Sequence, residues 1–364
     1  MGLLTQVFPP ALVDEVIAQA GRVEQRNRSL PARVMAYFAI GMGLSDGSYE
    51  EVMSQITDGL SWVSGWQESA TPSSKSAIFQ ARARLGPEPL EALFAKVAKP
   101  FGTARSAGTW LGGKRLVAVD GTCLDLQDTP LNVAFFGRPG VRKDGKPPLP
   151  QARLLALAEC GTQAMFDAVV GARTSSEVAL ASELIERLEP GMLLLADRGD
   201  CSYAMWREAI GTGADLLWRV KTGLSPEHLR TLADGSWLAV IRPAVDDQRE
   251  SISLRVIDCS MGDGTDDRVS YQLFTTILDP AQASVDDLTA AYAQRWRIRL
   301  ALDELTAHQR RSRTVLRSKS PELVLQEIWG YLCCHYAIRT LLTGAPYTPA
   351  TTRQTAAASL GSLP

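Results

Sequence analysis

The stretch RLVAVDGTCLDL, residues 115–126, decides the fold. Its apolar first half is typical of a buried core strand, and Asp120 and Gly121 interrupt it. A carboxylate at the end of an apolar strand must face solvent, a partner or a metal ion, because burying it unpaired costs too much free energy. The same pattern recurs in MLLLAD, where Asp197 ends a second apolar strand. Either aspartate alone could merely cap a turn, but the two together indicate a functional site.

The segments around these strands predict an α/β sheet of the ribonuclease-H type. Two apolar runs joined by Gly161, Thr162 and Gln163 predict a hairpin beside the first strand. Helices and strands then alternate, which favours parallel strands. The predicted elements are strands at 152–160 and 164–172, a helix at 176–188, the MLLLAD strand, a helix at 202–211 and a strand at 214–220. In such open sheets the chemistry lies at the carboxyl ends of the parallel strands, where Asp120 and Asp197 are expected.

Two carboxylates on adjacent strands suit divalent Mg²⁺ or Mn²⁺, since these hard ions prefer oxygen ligands. With two ions about 4 Å apart, one activates the attacking water or 3′-hydroxyl and the other stabilises the leaving oxygen. We therefore predict that Asp120 and Asp197 are catalytic metal ligands, completed by a third carboxylate from a nearby helix. The six cysteines include no CxxC spacing, which argues against zinc.

The rest of the chain divides by its periodicity. Residues before about 105 show helical periodicity, with one polar, basic helix at residues 73–85. Two long helices are predicted at about 286–310 and 321–342. The predicted parts are a helical N-terminal domain (1–105), a first part of the ribonuclease-H-like core (113–223), a β-rich insertion (224–284), C-terminal helices that complete the core (285–343) and a frayed tail (344–364).

Charge is segregated along the chain. The formal net charge of −2 is unusual for a protein that neutralises phosphates. Residues 292–319, however, carry eight basic side chains against two acidic ones, Asp303 and Glu304, while much of the acidity lies in residues 246–287. This local excess of positive charge favours contact with a polyanion.

The sequence does not favour a membrane or secreted protein. It contains no run of about 20 apolar residues, and its first residues lack the basic start and apolar run of a signal peptide. We therefore expect a cytoplasmic protein, associated with the nucleoid if it binds DNA, and no membrane partner.

Several longer stretches carry a family resemblance. They are LLTQVFPPALVDEVIAQAGRVEQRNRSLPARVMAYF (3–38), VAVDGTCLDLQDTP (117–130), FGRPG (136–140), LLLADRG (193–199), GADLLWRVK (213–221), YAQRWRIRLALDELTAHQR (292–310) and VLRSKSPELVLQEIWG (315–330). With these stretches the chain resembles the insertion-sequence family 4 DDE transposases of actinobacteria along nearly its whole length. The resemblance implies a ribonuclease-H-like catalytic core, a β-strand insertion before the last catalytic helix, and magnesium-dependent strand transfer. It also implies an N-terminal domain that binds transposon-end DNA, with inverted repeats and target DNA as partners of a homo-oligomer.

The chain departs from the family at one motif. The family signature around the catalytic glutamate runs Tyr, two residues, Arg, three residues, Glu, six residues, Lys. Tyr292 and Arg295 fit, but the glutamate position is Arg299 and the lysine position is Thr306. A guanidinium has no lone pair for a cation and repels it. The alternative third ligands are Asp303, one helical turn after Arg299, and Glu304.

Several side chains are candidates for contact with DNA. Those in the basic segment are predicted to contact phosphates, with a solvated basic face as the alternative. They are Tyr292, Arg295, Arg297, Arg310, Arg311, Arg313, Arg317 and Lys319. Lys75, Arg82 and Arg84 are candidates for reading transposon ends. Trp237 is a candidate for stacking on a flipped base, with core packing as the alternative. His308 and His335 are predicted to be structural.

Three functions stay open at this point. The first is a DNA-binding protein of transposase fold that has lost strand transfer. The second is an active transposase that uses Asp303 or Glu304 as its third ligand. The third is a binding-only repressor that occupies transposon ends or forms mixed oligomers with an intact copy.

Overall fold

The computed structural model describes residues 2–26, 28–45, 47–64, 74–140, 147–197, 202–220, 225–243, 251–261, 269–310 and 315–344. The helices in these ranges are α1 (Gly2–Val7), α2 (Pro10–Gln19), α3 (Ala32–Gly41), α4 (Tyr49–Ser64), α5 (Lys75–Leu85), α6 (Glu88–Val97), α7 (Pro130–Phe136), α8 (Glu177–Ile185), α9 (Tyr203–Gly211), α10 (Val285–Ala293), α11 (Trp296–Arg310) and α12 (Pro321–Leu342). The strands are β1 (Trp110–Leu111), β2 (Lys114–Asp125), β3 (Gln151–Glu159), β4 (Met165–Ala172), β5 (Met192–Ala196), β6 (Asp215–Val220), β7 (Glu227–Thr231), β8 (Trp237–Ile241), β9 (Ile252–Met261) and β10 (Val269–Thr275).

The strands form one mixed sheet around β2. Its order is β4-β3-β2-β5-β6-β10-β9-β8-β7, and β1 pairs with β2 off this path. β2 and β3 are antiparallel, as are β3 and β4, whereas β2, β5 and β6 run parallel. The predicted hairpin and the parallel strands that follow it are therefore confirmed.

Serine side chains begin several of the helices. Ser74, Ser176, Ser202 and Ser284 each accept a hydrogen bond from the backbone N–H three residues further on. This satisfies one of the free donors at a helix start and fixes where the helix begins. The helices predicted near residues 73, 176 and 202 start at these serines.

The insertion continues the sheet. β10 pairs antiparallel with β6, and β9, β8 and β7 follow in turn. Arg255 of β9 is fully buried and donates hydrogen bonds to Ser236 Oγ and to the carbonyl oxygen of Ala283, at 2.8 Å each, and it also binds Asp234. The insertion is thereby tied to the residue that precedes the capping box of α10, Ser284 with Asp287.

The N-terminal helices share their hydrophobic core with the sheet. α12 packs against α3, α6, α1 and α5 as well as against β4 and α7, and one buried cluster contains residues of all these elements. A Cβ atom on Gly330 of α12 would lie 2.4 Å from the carbonyl oxygen of Ala39 in α3, so this crossing requires glycine. The predicted division near residue 105 therefore does not separate two cores.

One predicted helix is in fact two. The sequence favoured a single helix over about 286–310, but α10 ends at Ala293 and α11 begins at Trp296. At the break Gln294 and Arg295 donate their N–H groups to the carbonyl oxygens of Ala291 and Tyr292, three residues back. This tighter turn changes the direction in which the following side chains point. None of the helices in the described ranges has the length and apolarity that a membrane span needs.

The buried His335 of α12 should make the free energy of unfolding depend on pH in the acidic range. Burial lowers the pKa of His335 to about 4 from 6.5, and its Nε2 lies 3.0 Å from the carbonyl oxygen of Gln163. In the unfolded chain this side chain therefore binds a proton near pH 6.5, whereas in the folded chain it binds one only near pH 4. As the pH falls through this window, the free energy of unfolding decreases by about 3 kcal/mol. We expect urea unfolding to show a smaller loss between pH 7 and pH 4.5 in His335→Gln. Equal losses in the two proteins would contradict this role.

Candidate active site

The two predicted aspartates lie side by side at one edge of the sheet. The parallel pairing of β2 with β5 ends at Ala118 and Leu195, and each aspartate follows two residues later, at Asp120 and Asp197. Since side chains alternate between faces, both lie on the face of Ala118 and Leu195, which belong to the core that α11 and α12 cover. The carboxyl ends of the parallel strands therefore bring the two predicted site residues together.

Arg295 bridges the two carboxylates. Its Nη2 lies 3.0 Å from Asp197 Oδ2 and its Nη1 lies 3.8 Å from Asp120 Oδ2, while its side chain is only 7% exposed. Tyr292 donates its hydroxyl to Asp197 Oδ1 at 3.3 Å. Burial raises the pKa of Tyr292 to about 12, although Arg295 opposes that rise, so the hydroxyl stays protonated as a donor.

Arg299 also reaches the pair. Its Nε lies 3.5 Å from Asp120 Oδ2, and its side chain is 48% exposed. Ile298 and Leu302 of α11 are buried in the adjacent core, which orients this turn of the helix against the sheet. The side chain at position 299, where the resemblance to the family implies a glutamate, therefore points at Asp120.

A divalent cation does not fit this arrangement. Asp120 Oδ2 is buried and has no hydrogen-bond partner in the described ranges, so it offers lone pairs to a cation. Those lone pairs, however, face Arg295 and Arg299 at 3.8 and 3.5 Å. Among the described residues no group of three His, Cys, Asp or Glu side chains could hold a metal ion. Two guanidinium groups neutralise the two carboxylates in the place where a cation would bind.

Two side chains that the sequence did not predict, the aromatic Tyr271 and the cationic Arg219, connect the site to the insertion. The Tyr271 ring of β10 lies 6.3 Å from the Tyr292 ring, and Arg219 Cζ of β6 lies 4.4 Å from the centre of Tyr271. This contact depends on the pairing of β10 with β6. No local sequence pattern could have found it.

A cavity of about 230 Å³ opens beside the aspartates. Its lining includes Asp120, Asp197, Glu177, Ile185, Met205 and Trp218. Glu177, the first residue of α8, forms an ion pair with Arg153 of β3. Glu177 is not among the predicted site residues, although an acidic residue directly after the capping Ser176 indicates that α8 begins there.

The two alternative third ligands lie differently. Glu304 forms an ion pair with Arg339 of α12, which a role as a metal ligand would have to break, and that role stays a prediction. Asp303 is exposed on α11, one turn beyond Arg299. Its proposed role stays a prediction.

Three predicted DNA contacts are corrected by burial and bonding. Arg82 is 1% exposed and donates to Gln326, Tyr49, Ser318 and the Leu323 carbonyl oxygen. Its guanidinium is fully used inside the protein and cannot read DNA. Arg317 donates to the carbonyl oxygens of Gly47 and Ser45, at 2.6 and 3.0 Å. Arg295 is likewise buried on the aspartates.

The remaining candidates are placed as follows. Lys75 is 73% exposed and Lys319 is exposed, whereas Arg84 and Arg297 are half-buried. Trp237 donates its indole N–H to Asp258 at 2.8 Å, and its ring lies 5.1 Å from that of His228, which favours the packing interpretation. The described part of the structure does not include the side chains of Thr306, His308 and Arg310 or the residues Arg311 and Arg313.

Two protein families match successive parts of the chain. The family described as insertion element 4 transposase N-terminal matches residues 1–95. The family described as transposase DDE domain matches residues 111–337, which cover the sheet, its insertion and the C-terminal helices. The second match confirms the predicted ribonuclease-H-like α/β fold class.

Individual proteins are similar to the chain at two levels. The transposase InsG for insertion sequence element IS4, from Escherichia coli strain K12, is 30% identical over 341 residues, which are 92% of this chain and 75% of that protein. The structure of a piggyBac transposase synaptic complex with hairpin DNA aligns over 95% of this chain and 76% of that one, with a TM-score of 0.48 and 11% identity. That structural likeness is too low to bear on function. The family matches and the InsG similarity establish that the chain belongs to the insertion element 4 family of DDE transposases.

Proposed function

We propose that this protein binds double-stranded DNA at the inverted repeats of its own element, as a homo-oligomer on the nucleoid, and that it has lost most or all strand transfer. The observation that carries the second part is the guanidinium group of Arg299, whose Nε lies 3.5 Å from Asp120 Oδ2. DDE transposases normally use divalent metal ions. Here the side chain that should complete a metal site repels the ion instead.

DNA binding is supported by parts of the chain that lie away from Arg299. The N-terminal family match covers residues 1–95, and α5 in that region presents Lys75 to solvent. Lys319 adds an exposed positive charge beyond α11. Such side chains neutralise phosphates without reading sequence, so they suit both an active and an inactive protein.

The ion pair between Arg299 and Asp120 also favours a second function, that of a binding-only repressor. A copy that occupies a DNA end without cutting it excludes an intact copy from that end. The active alternative requires Asp303 to take the ligand position that Arg299 fills. Because α11 rises about 5.4 Å per turn, the helix would have to slide by that distance along the sheet.

Binding and cleavage together test the proposal. Duplexes from the two ends of the element are compared with unrelated duplexes of equal length, by fluorescence anisotropy and by gel analysis of labelled strands in Mg²⁺. We expect preferential binding to end DNA with little or no cleavage. Equal affinity for unrelated DNA would contradict end recognition, and strong cleavage would contradict the loss of strand transfer.

Affinity should fall steeply with salt. Neutralising Arg310, Arg311 and Arg313 together should lower the slope of log affinity against log salt by about 3, because each phosphate contact releases roughly 0.9 counterion. The control is Arg187→Gln, since Arg187 is already paired with Asp167 and Glu183. An unchanged slope in the triple variant would mean that this segment is merely solvated.

A further inference from the structure

We infer that Arg299 has turned the former metal site into a direct phosphate-binding site, which holds a DNA phosphodiester at the aspartate edge without a divalent ion. The inference rests on the proposed binding of DNA and adds how the altered site takes part in it. The ligand is a phosphodiester oxygen pair, and the step is binding alone, with no bond made or broken.

The charges at the edge favour an anion more than the family arrangement does. With a glutamate at position 299, three carboxylates would face Arg295 and carry two uncompensated negative charges. With Arg299, Asp120 and Asp197 face two guanidinium groups, and the four charges cancel. A phosphate that approaches this edge is therefore no longer repelled by an excess of carboxylates, which is the repulsion that a metal ion must otherwise overcome.

Arg299 is the one of the two arginines that can still reach a ligand. Arg295 is 7% exposed and spans both aspartates, so its guanidinium is committed to them. Arg299 is 48% exposed and meets Asp120 through Nε, at the long distance of 3.5 Å. A guanidinium carries five N–H donors in a planar fork that matches the two oxygens of a phosphate. Its exposed part is available for such a bidentate contact.

The surface around Arg299 fits a nucleotide. Trp296 lies three residues before Arg299 and Leu300 directly follows it on α11, and the two side chains are 62% and 54% exposed. Large exposed apolar side chains beside a cation suit a sugar or base whose phosphate is held by that cation. A phosphate held by Arg299 would bring its sugar or base within reach of these two side chains.

The test measures affinity for end DNA in EDTA, by fluorescence anisotropy. We expect the natural protein to bind equally well, within about twofold, in EDTA and in Mg²⁺. Arg299→Ala should weaken binding about tenfold, in line with the loss of a charge-assisted hydrogen bond. Arg299→Glu should weaken it further in EDTA and recover with Mg²⁺, while Arg299→Lys should fall between the natural protein and Arg299→Ala because it keeps charge without the fork.

The matched control is Arg242→Ala. Arg242 is 49% exposed, pairs with Glu227 in the insertion, and differs from Arg299 chiefly in lying away from the aspartates. Its replacement should leave affinity unchanged within about twofold. Thermal unfolding of every variant shows whether it is folded, and the half-exposed position of Arg299 predicts that all of them are.

An uncharged phosphate analogue in the DNA identifies the phosphate that Arg299 contacts. A methylphosphonate, which carries no charge, is placed in turn at each of the terminal linkages of the end DNA. One such linkage should weaken binding of the natural protein about tenfold and have no effect on Arg299→Ala, since each change removes the same contact.

The outcomes separate this inference from the proposed function. If the natural protein binds end DNA no better than unrelated DNA, the proposed function fails and this inference fails with it. If it binds end DNA but Arg299→Ala matches Arg242→Ala, or if Mg²⁺ strengthens binding of the natural protein more than tenfold, the proposed function stands and the phosphate-binding role of Arg299 is overturned.

Discussion

Replacing Arg299 with glutamate and Thr306 with lysine should give a protein that cuts its own end DNA in magnesium, where the natural protein gives little or no product. The first change removes a guanidinium from Asp120 and supplies a carboxylate in its place. The second places a lysine at position 306, where the resemblance to the family implies one. We expect cleavage to rise on the order of 10³-fold, because several kcal/mol of electrostatic repulsion are removed and each ~1.4 kcal/mol is tenfold in rate.

The assay is Mg²⁺- or Mn²⁺-dependent nicking of labelled end DNA by the natural protein, both single variants and the double variant. Asp120→Asn in the double variant is the control and should abolish nicking, since it removes a ligand while preserving side-chain shape. Robust cleavage by the natural protein that disappears in Asp303→Ala would overturn the inactive interpretation. It would show that α11 presents its ligand one turn later.

Replacing Arg82 with alanine should lower the free energy of unfolding by about 3–5 kcal/mol, a large share of the stability of an ordinary domain. The guanidinium is buried and bonds with Gln326 at 2.8 Å, Tyr49 at 2.9 Å and Ser318 at 3.0 Å. Ser318 in turn donates to the buried Glu327. Alanine would leave these groups without their partner and open a cavity between α5 and α12.

Urea unfolding measures this loss. Lys75→Ala on the same helix is the control, because Lys75 is 73% exposed and lies 4.0 Å from Glu50, so its loss should cost under about 0.5 kcal/mol. An Arg82→Ala protein of natural stability but reduced affinity for end DNA would restore the interpretation of Arg82 as a DNA reader and contradict the buried network.

The sequence predicted that Asp120 and Asp197 lie together at one edge of the sheet, because that edge is built from local patterns. An apolar run that stops at an aspartate indicates a buried strand whose end faces solvent or a partner. This pattern occurs at both Asp120 and Asp197. The alternation of helices and strands then determined which strands run parallel. These signals are contained in short stretches and need no knowledge of distant contacts.

What could not be predicted depends on long-range packing. Arg82 and Arg84 look alike in the sequence, yet Arg82 meets Gln326 across 244 residues while Arg84 is half-buried. The same limit applies to Arg295, which the sequence placed on a basic surface. A break in the helix at Gln294 and Arg295 turns Arg295 onto the aspartates, and no proline or glycine marks that break.

The crossing of α12 with α3 has a genetic consequence. Helices α1, α3, α5 and α6 pack around α12, which is translated after them, and Gly330 of α12 touches the backbone of Ala39 within one shared buried cluster. A stop codon anywhere before that helix therefore removes more than the end of the protein. It deprives the N-terminal helices of the surface on which they fold. A missense change at a half-exposed position such as 299 can leave a folded protein, whereas a nonsense change upstream of α12 removes the surface against which the N-terminal helices pack.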